Sequence, residues 1–239
     1  MHACALTDIG RRRETNQDVV FCSENPLGNL PNLFAVADGM GGHNAGDYAS
    51  RTAVEILLDH VKNTDSHDPS VILQESIEEM NDVIWHRSKE HADYAGMGTT
   101  LVAAVLEGNT LTVANIGDSR LYVVGRGLYQ VTRDHSLVEA LVDQGKLTRG
   151  SAEYRAKKNV ITRAIGVDET VEADFFEVEL AEGEGVLLCS DGLTNMITEE
   201  EIFSIISRRL SLEDRAAALV EAANLSGGRD NIAVILIER

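Results

Sequence analysis

Apolar residues fall along this chain in short runs of two different spacings, and the points where one spacing gives way to the other mark the elements. Residues 3–9, 19–22 and 33–37 are short apolar segments that read as strands, the last ending at Asp38. Residues 46–61 then carry apolar side chains at helical spacing. Asp68-Pro69 supplies an N-cap and a first-turn proline for a second amphipathic helix reaching about residue 91. From 99 to 132 the pattern returns to strands, broken at Gly108-Asn109 and Gly125-Arg126-Gly127, which predicts an antiparallel meander. Ser136 with Glu139 three positions on predicts a capping box and a short helix. Residues 144–159 are polar, basic and poorly periodic, and read as a loop-rich excursion. Strands follow at 171–180 and 186–189, helices open at Thr198 (a capping box with Glu201) and near Ser211, and a last strand covers 232–237.

The order is strands, two helices, strands, two helices, strand. Such segregated runs favour an α+β layered fold over a doubly wound parallel sheet, which would alternate strand and helix. The 239 residues, 44% of them hydrophobic, suffice for one substantial core. There is no repeat, low-complexity tract or linker, and only 3 prolines interrupt the chain. One domain over 1–239 is expected.

The formal charge of -18 disfavours sequence-independent attraction to nucleic acid or to an anionic membrane, so proteins are the expected partners. No basic leader precedes a long apolar stretch, and runs such as 101–106 fall far short of the roughly 20 residues of a membrane helix. A soluble, cytoplasmic protein is expected. Cys4, Cys22 and Cys189 have no metal or redox spacing and read as structural thiols. None is followed six positions later by arginine, so the phosphate loop of cysteine-dependent phosphatases is missing. Lys146 follows a glycine, but the rest of a nucleotide-binding P-loop is absent.

The placement of the aspartates is more informative. Asp18 precedes a predicted strand, Asp38 and Asp118 follow strands, Asp191 follows another, and Asp230 precedes the last. Asp38, Asp118 and Asp191 each adjoin a glycine, where the backbone turns sharply and a ligand can approach closely. If these strand ends converge, two carboxylates about 4 Å apart repel by about 1 kcal/mol in water and about 4 in a protein cleft, and cations are needed to hold them together. All-oxygen ligands without a histidine or cysteine cluster suit magnesium or manganese. Two such ions about 3.5–4 Å apart can activate a bridging water and hold a phosphoryl group for in-line attack. On spacing alone, the same Asp-Gly pairs also fit ordinary turns.

Six motifs decide between these readings: Arg13-Glu14-Thr15-Asn16-Gln17-Asp18, Asp38-Gly39-Met40-Gly41-Gly42-His43, Gly98-Thr99-Thr100, Gly117-Asp118-Ser119-Arg120, Ser190-Asp191-Gly192 and Gly228-Arg229-Asp230-Asn231. In this order they closely resemble the motifs of the metal-dependent type 2C (PPM) serine/threonine protein phosphatases in their compact bacterial form. The resemblance runs from about Thr7 to Ile237. It implies a four-layer α-β-β-α sandwich of two antiparallel sheets, with the metals in a cleft at one end. It also implies that Asp38 bridges two Mg2+ or Mn2+ ions, that Asp191 and Asp230 complete the first, and that the Gly39 carbonyl joins the second. Asp18 would act from the outer shell through water, and Asp118 with Asp191 would hold a third ion. Arg13 matches the family's phosphate-binding arginine, whose fork suits phosphate oxygens. Thr99 and Thr100 match a polar strand start beside the cleft, and also fit ordinary β-branched strand residues.

The chain departs from the eukaryotic pattern at Gln17, where many members have glutamate, and at Met40, where they place a histidine acid. His43 is the nearest replacement acid, and a water on a metal is the alternative. Residues 144–166, with Lys146, Arg149, Arg155, Lys157, Lys158 and Arg163, correspond to the family's variable flap and form a local basic patch. The resemblance implies hydrolysis of phosphoserine and phosphothreonine in proteins, opposing a serine/threonine kinase, by a monomer. Two other readings fit the aspartates less well: a metallohydrolase of small phosphate esters, and a scaffold that has lost its metals.

Overall fold

A computed structural model of the chain describes residues 1–42 and 45–239, all but the side chain of Arg155. Strands β1 (His2–Asp8), β2 (Asp18–Ser23) and β3 (Leu33–Met40) lead into helices α1 (Ala45–Asn63) and α2 (Pro69–Glu90). Strands β4 (Gly98–Thr99), β5 (Leu101–Glu107), β6 (Thr110–Ile116), β7 (Arg120–Val124) and β8 (Leu128–Gln130) follow. Helices α3 (Leu137–Asp143) and α4 (Ala152–Lys157) precede β9 (Asp174–Glu179) and β10 (Gly185–Cys189). Three helices, α5 (Asp191–Thr194), α6 (Glu199–Ile206) and α7 (Leu212–Leu225), lead to β11 (Ile232–Glu238).

The strands form two sheets in the orders β1-β11-β10-β7-β8 and β2-β3-β5-β6-β9, with β4 added to β3, and neighbours pair antiparallel. Alternation along β3 shows how the layers are built. Leu33, Ala35 and Ala37 pack under α1 and α2, with Leu57, Ile77 and Met80. Phe34 and Val36 point the other way, into the space between the sheets, where they meet residues such as Leu121, Leu188 and Ile235. On the far side Leu187, Val234 and Leu236 pack against Ile202, Leu219 and Ala223 of α6 and α7. Both faces of each central strand are therefore buried, which is why these strands read as unbroken apolar runs. The result is the expected α+β four-layer α-β-β-α sandwich. Among the described residues no helix is long and apolar enough to cross a membrane.

Four local readings are corrected. Residues 99–132 are not one meander, because β5 and β6 lie in one sheet and β7 and β8 in the other. The chain changes sheets at Gly117-Asp118-Ser119, where Gly117 has φ +99 and a Cβ would sit 2.5 Å from Thr100 Cγ2. Strand β3 does not end at Asp38 but runs on to Met40, because β2 and then β4 continue to pair with it. At the start of α3 the capping box is half formed. Ser136 accepts a hydrogen bond from the Glu139 amide, whereas the Glu139 carboxylate accepts from Arg149 and Tyr154 instead of turning back to the cap. The excursion at 144–159 contains a helix, α4, capped by Ser151. The capping box at Thr198 and Glu201 and the Asp68 cap are as expected.

Candidate active site

At one end of the sandwich the beginnings of β2, β5 and β11 meet the ends of β3, β6 and β10. Asp18 and Asp38 are cross-strand partners in the β2–β3 ladder. The backbone of Asp38 is held on both sides of its peptide group: its amide donates to Thr100 Oγ1 (3.0 Å), and its carbonyl accepts from the Thr100 amide (2.9 Å) and Thr99 Oγ1 (3.0 Å). Gly39 continues the strand with no room for a side chain, since a Cβ would lie 2.1 Å from the Gly46 carbonyl oxygen. Asp18 is 4% exposed, accepts a hydrogen bond from Ser190 Oγ at 2.7 Å, and leaves its Oδ1 without a partner.

Asp118 sits on the turn where the chain changes sheets, beside Ser119, whose hydroxyl pairs with that of Thr100 at 2.8 Å. Asp191 opens the short helix α5. Asn195 Nδ2 donates to its Oδ2 at 2.7 Å, and its Oδ1 is buried without a partner. Asp230 precedes β11, and its Oδ2 accepts from Arg13 at 2.7 Å across 217 residues of sequence. A cavity of about 310 Å³ is lined by Arg13, Asp38, Gly39, Asp118, Asp191 and Asp230 together with Gln17, Met40, Thr100, Asn159 and Ile161.

The electrostatics of this cavity are strained. Burial pushes Asp38 well above the usual carboxylate range, and the charges of Asp18 and Asp191 push it further. Burial, opposed by the Ser190 hydrogen bond and reinforced by Asp191, lifts Asp18 to about 7. Burial and Asp191 lift Asp118 to about 8, and burial and Asp230 lift Asp191 to about 6. Arg13 is raised as well, for the opposite reason: burial alone would lower it, but the Asp230 contact and the fields of Asp38 and Asp191 stabilise its charge. A set of carboxylates that resist ionising together, two of them with orphaned buried oxygens, fits hard divalent cations, which supply the missing charge and take oxygen ligands. Among the described residues no three acidic, histidine or cysteine side chains already close around one point. A site for magnesium does not require three, because one or two carboxylates with carbonyl and water oxygens suffice.

The protein phosphatase 2C profile matches residues 10–225. The serine/threonine phosphatase stp of Listeria monocytogenes is 43% identical over 100% of this chain and 96% of its own length. The chain belongs to the protein phosphatase 2C family. It is a serine/threonine protein phosphatase. The serine/threonine phosphatase of S. agalactiae superposes with TM-score 0.91 at 40% identity, over 99% of this chain and 98% of that one. The catalytic domain of the phosphatase PstP, in complex with 2 manganese ions, superposes with TM-score 0.86 at 33% identity, over 99% of this chain and 97% of that one.

In this phosphatase the candidate residues Arg13, Asp38, Gly39, Asp118, Asp191 and Asp230 share one cavity, and Asp18 lies directly behind Asp38. His43 lies outside the described residues. Thr99 and Thr100 are more than strand residues, because they fix the backbone from which Asp38 projects. The sequence reading quoted Asn231 in a motif but gave it no role; it is 3% exposed. Its Oδ1 accepts from the Gln17 amide, and its Nδ2 donates to the carbonyls of Ile9 and Thr15, tying the Arg13 loop to the start of β11. Its place beside Asp230 in the last motif was the only signal the sequence offered. The three cysteines are free, and burial pushes the thiols of Cys22 and Cys189 up to about 11 and about 12, opposite to what a nucleophile needs.

Proposed function

We propose that the phosphatase hydrolyses phosphoserine and phosphothreonine in proteins at a binuclear, or trinuclear, magnesium or manganese centre in the aspartate cavity. The observation that carries this reading is the convergence of Asp38, Asp118, Asp191 and Asp230 on one 310 Å³ space with Arg13 at its edge. The two manganese ions held by PstP support it from outside. Asp38, with Asp191 and Asp230, would hold one ion, Asp38 and the Gly39 carbonyl a second, and Asp118 with Asp191 a third. Bound there, the ions would neutralise the carboxylates and activate a water for attack on phosphorus.

The chain's own groups have separable parts in this scheme. Arg13 binds and orients the phosphate with its fork, exchanging its Asp230 contact for phosphate oxygens. Thr99, Thr100 and Ser119 hold Asp38 and Asp118 at fixed positions, so little rearrangement is needed at the moment of reaction. Asp18, buried and bonded to Ser190, keeps negative charge behind Asp38 from the outer shell. The leaving oxygen takes its proton from His43 or from a water, since Met40 offers none. The whole chain acts as one domain and as a monomer, with residues 144–166 as a flap beside the cleft. Its substrates include those of a serine/threonine kinase. A comparison of phosphopeptides in cells carrying the wild type and Asp191→Asn tests this: phosphoserine and phosphothreonine sites accumulate in the variant, and an unchanged phosphopeptide set contradicts it.

A further inference from the structure

Next to the catalytic cleft lies a larger cavity of about 490 Å³, whose lining includes Arg120, Gln130, Asp134, Arg149, Tyr154 and Glu199. A narrower space of about 120 Å³ joins the two. It shares Asp118 and Asp191 with the cleft, and Arg120, Asp134 and Tyr154 with the larger cavity. The three form one trough running from the aspartates toward the N-terminus of α6.

The walls of this trough are built differently. The inner wall is rigid: Arg120 clasps Asp134 with Nε (2.8 Å) and NH2 (2.6 Å) and donates to the Tyr122 hydroxyl (2.9 Å), which in turn donates to Glu199 (3.2 Å). The outer wall belongs to the 144–166 excursion and hangs on one residue. Glu139, with its side chain 8% exposed, accepts from Arg149 through Nε (3.2 Å) and through NH2, and from the Tyr154 hydroxyl (2.7 Å). Because it serves these two groups, Glu139 does not complete the capping box of its own helix. Just beyond α4 the same excursion delivers Asn159 and Ile161 to the catalytic cleft.

The chemistry of the lining restricts the occupant. The guanidinium groups of the larger cavity are already engaged, Arg120 by Asp134, Arg149 by Glu139 and Arg133 by Asp143, and the one lysine of the joining space, Lys158, lies in the field of Asp191, so the larger cavity is not built to capture a simple anion. The lining residues are polar or charged, which excludes a lipid or an aromatic ligand. Gln130, Thr132, the half-exposed Glu199 carboxylate and the outer edges of the guanidiniums offer mixed donors and acceptors. That mixture suits the backbone amides and polar side chains of an extended polypeptide. We infer that the trough is the subsite for the polypeptide flanking the phosphorylated residue, and that Glu139 is the positioning residue for its outer wall. This rests on the assignment of the aspartate cavity as the catalytic cleft.

The test compares p-nitrophenyl phosphate with a long phosphothreonine peptide on the wild type, Glu139→Gln and Gln130→Trp, the last placing a bulky ring in the trough at the loss of one hydrogen bond to Asp134 and without touching the Glu139 contacts. Both variants should raise the peptide KM about tenfold, the scale of losing one hydrogen bond to a charged group. Their kcat and KM for p-nitrophenyl phosphate should stay within about twofold of the wild type, a split that a merely destabilised protein would not give. An unchanged peptide KM in folded Gln130→Trp overturns the inference, as does an equal loss toward both substrates. A wild type inactive on p-nitrophenyl phosphate with manganese overturns the assignment of the cleft itself and this subsite with it.

Discussion

Asp18 and Asp38 stand opposite each other on neighbouring antiparallel strands, so the fold places two carboxyl groups in contact at a position where both are buried. Like charges directly opposite in a ladder are destabilising. Here the pair is fixed from both sides, Asp18 by Ser190 and Asp38 by Thr99 and Thr100, so it cannot relax apart.

The carboxylate cluster to which this pair belongs makes the stability of the metal-free protein depend on pH in an unusual direction. Asp18, Asp118 and Asp191 have folded values of about 7, about 8 and about 6, all above the 3.8 of an unperturbed aspartate. Between those limits the folded state binds more protons than the unfolded one, so stability falls as pH rises. In a chelator the melting temperature should be higher near pH 5 than near pH 8.5, by several degrees. Manganese at pH 8.5 should restore it, because an ion that binds only the folded state stabilises it by mass action. A chelated protein at least as stable at pH 8.5 would contradict the buried, mutually repelling cluster.

Asp118 stands apart from the other site aspartates because it lies on the crossover between sheets. Asp118→Ala should leave two metals bound in a calorimetric count, yet lower turnover by on the order of 10² or more, the scale of losing a positioned proton donor or electrostatic stabiliser. Near-normal turnover with two metals retained would reduce Asp118 to a turn residue.

Arg13 touches Asp230 as well as facing the cavity, so its removal has two consequences. Arg13→Ala should raise KM for a phosphopeptide by about tenfold or more, the scale of a lost charge-assisted hydrogen bond. It should not weaken manganese binding, because it releases an Asp230 oxygen. Reduced manganese affinity in calorimetry would show that the arginine instead holds Asp230 in place for the metal.

Asn231 bonds three backbone groups, the buried amide of Gln17 and the part-buried carbonyls of Ile9 and Thr15. Asn231→Ala orphans the buried Gln17 amide, at about 1–3 kcal/mol for an unsatisfied buried group, while the two carbonyls turn to water. Chemical denaturation should show a loss of at least about 1 kcal/mol with the slope unchanged. A loss within about 0.5 kcal/mol, as for an ordinary surface site, would mean that the loop carrying Arg13 is held by other contacts.

Much of this molecule was legible in its sequence for identifiable reasons. Helix α2 announced itself through Asp68-Pro69, and α6 through Thr198 and Glu201, because caps are local chemistry. The layering followed from segregated strands and helices. The crossing of the chain between sheets at Gly117 was not legible, because a strand's sheet is decided by partners far away in sequence. Helix α4 was hidden by its polar composition, and the Glu139 clasp by a spacing that fits an ordinary capping box. At the site, the aspartate positions fitted a shared carboxylate cluster or ordinary turns, and the resemblance of the six motifs decided for the cluster. The orphaned oxygens of Asp18 and Asp191, the Arg13–Asp230 contact and the role of Asn231 depend on folded geometry alone.

The most direct test of the central claim is phosphate release from a phosphothreonine peptide by exhaustively chelated enzyme, before and after manganese is added back, in the wild type and in Asp38→Asn. Asp38 has the most strongly shared position in the cluster, facing Asp18 and feeling the charges of Asp191, Asp118 and Asp230. The wild type should be inactive after chelation and recover with manganese, while Asp38→Asn, still folded, should remain inactive at every manganese concentration. Undiminished release by the chelated wild type, or equal recovery of Asp38→Asn, would contradict a metal-dependent reaction at this aspartate cleft.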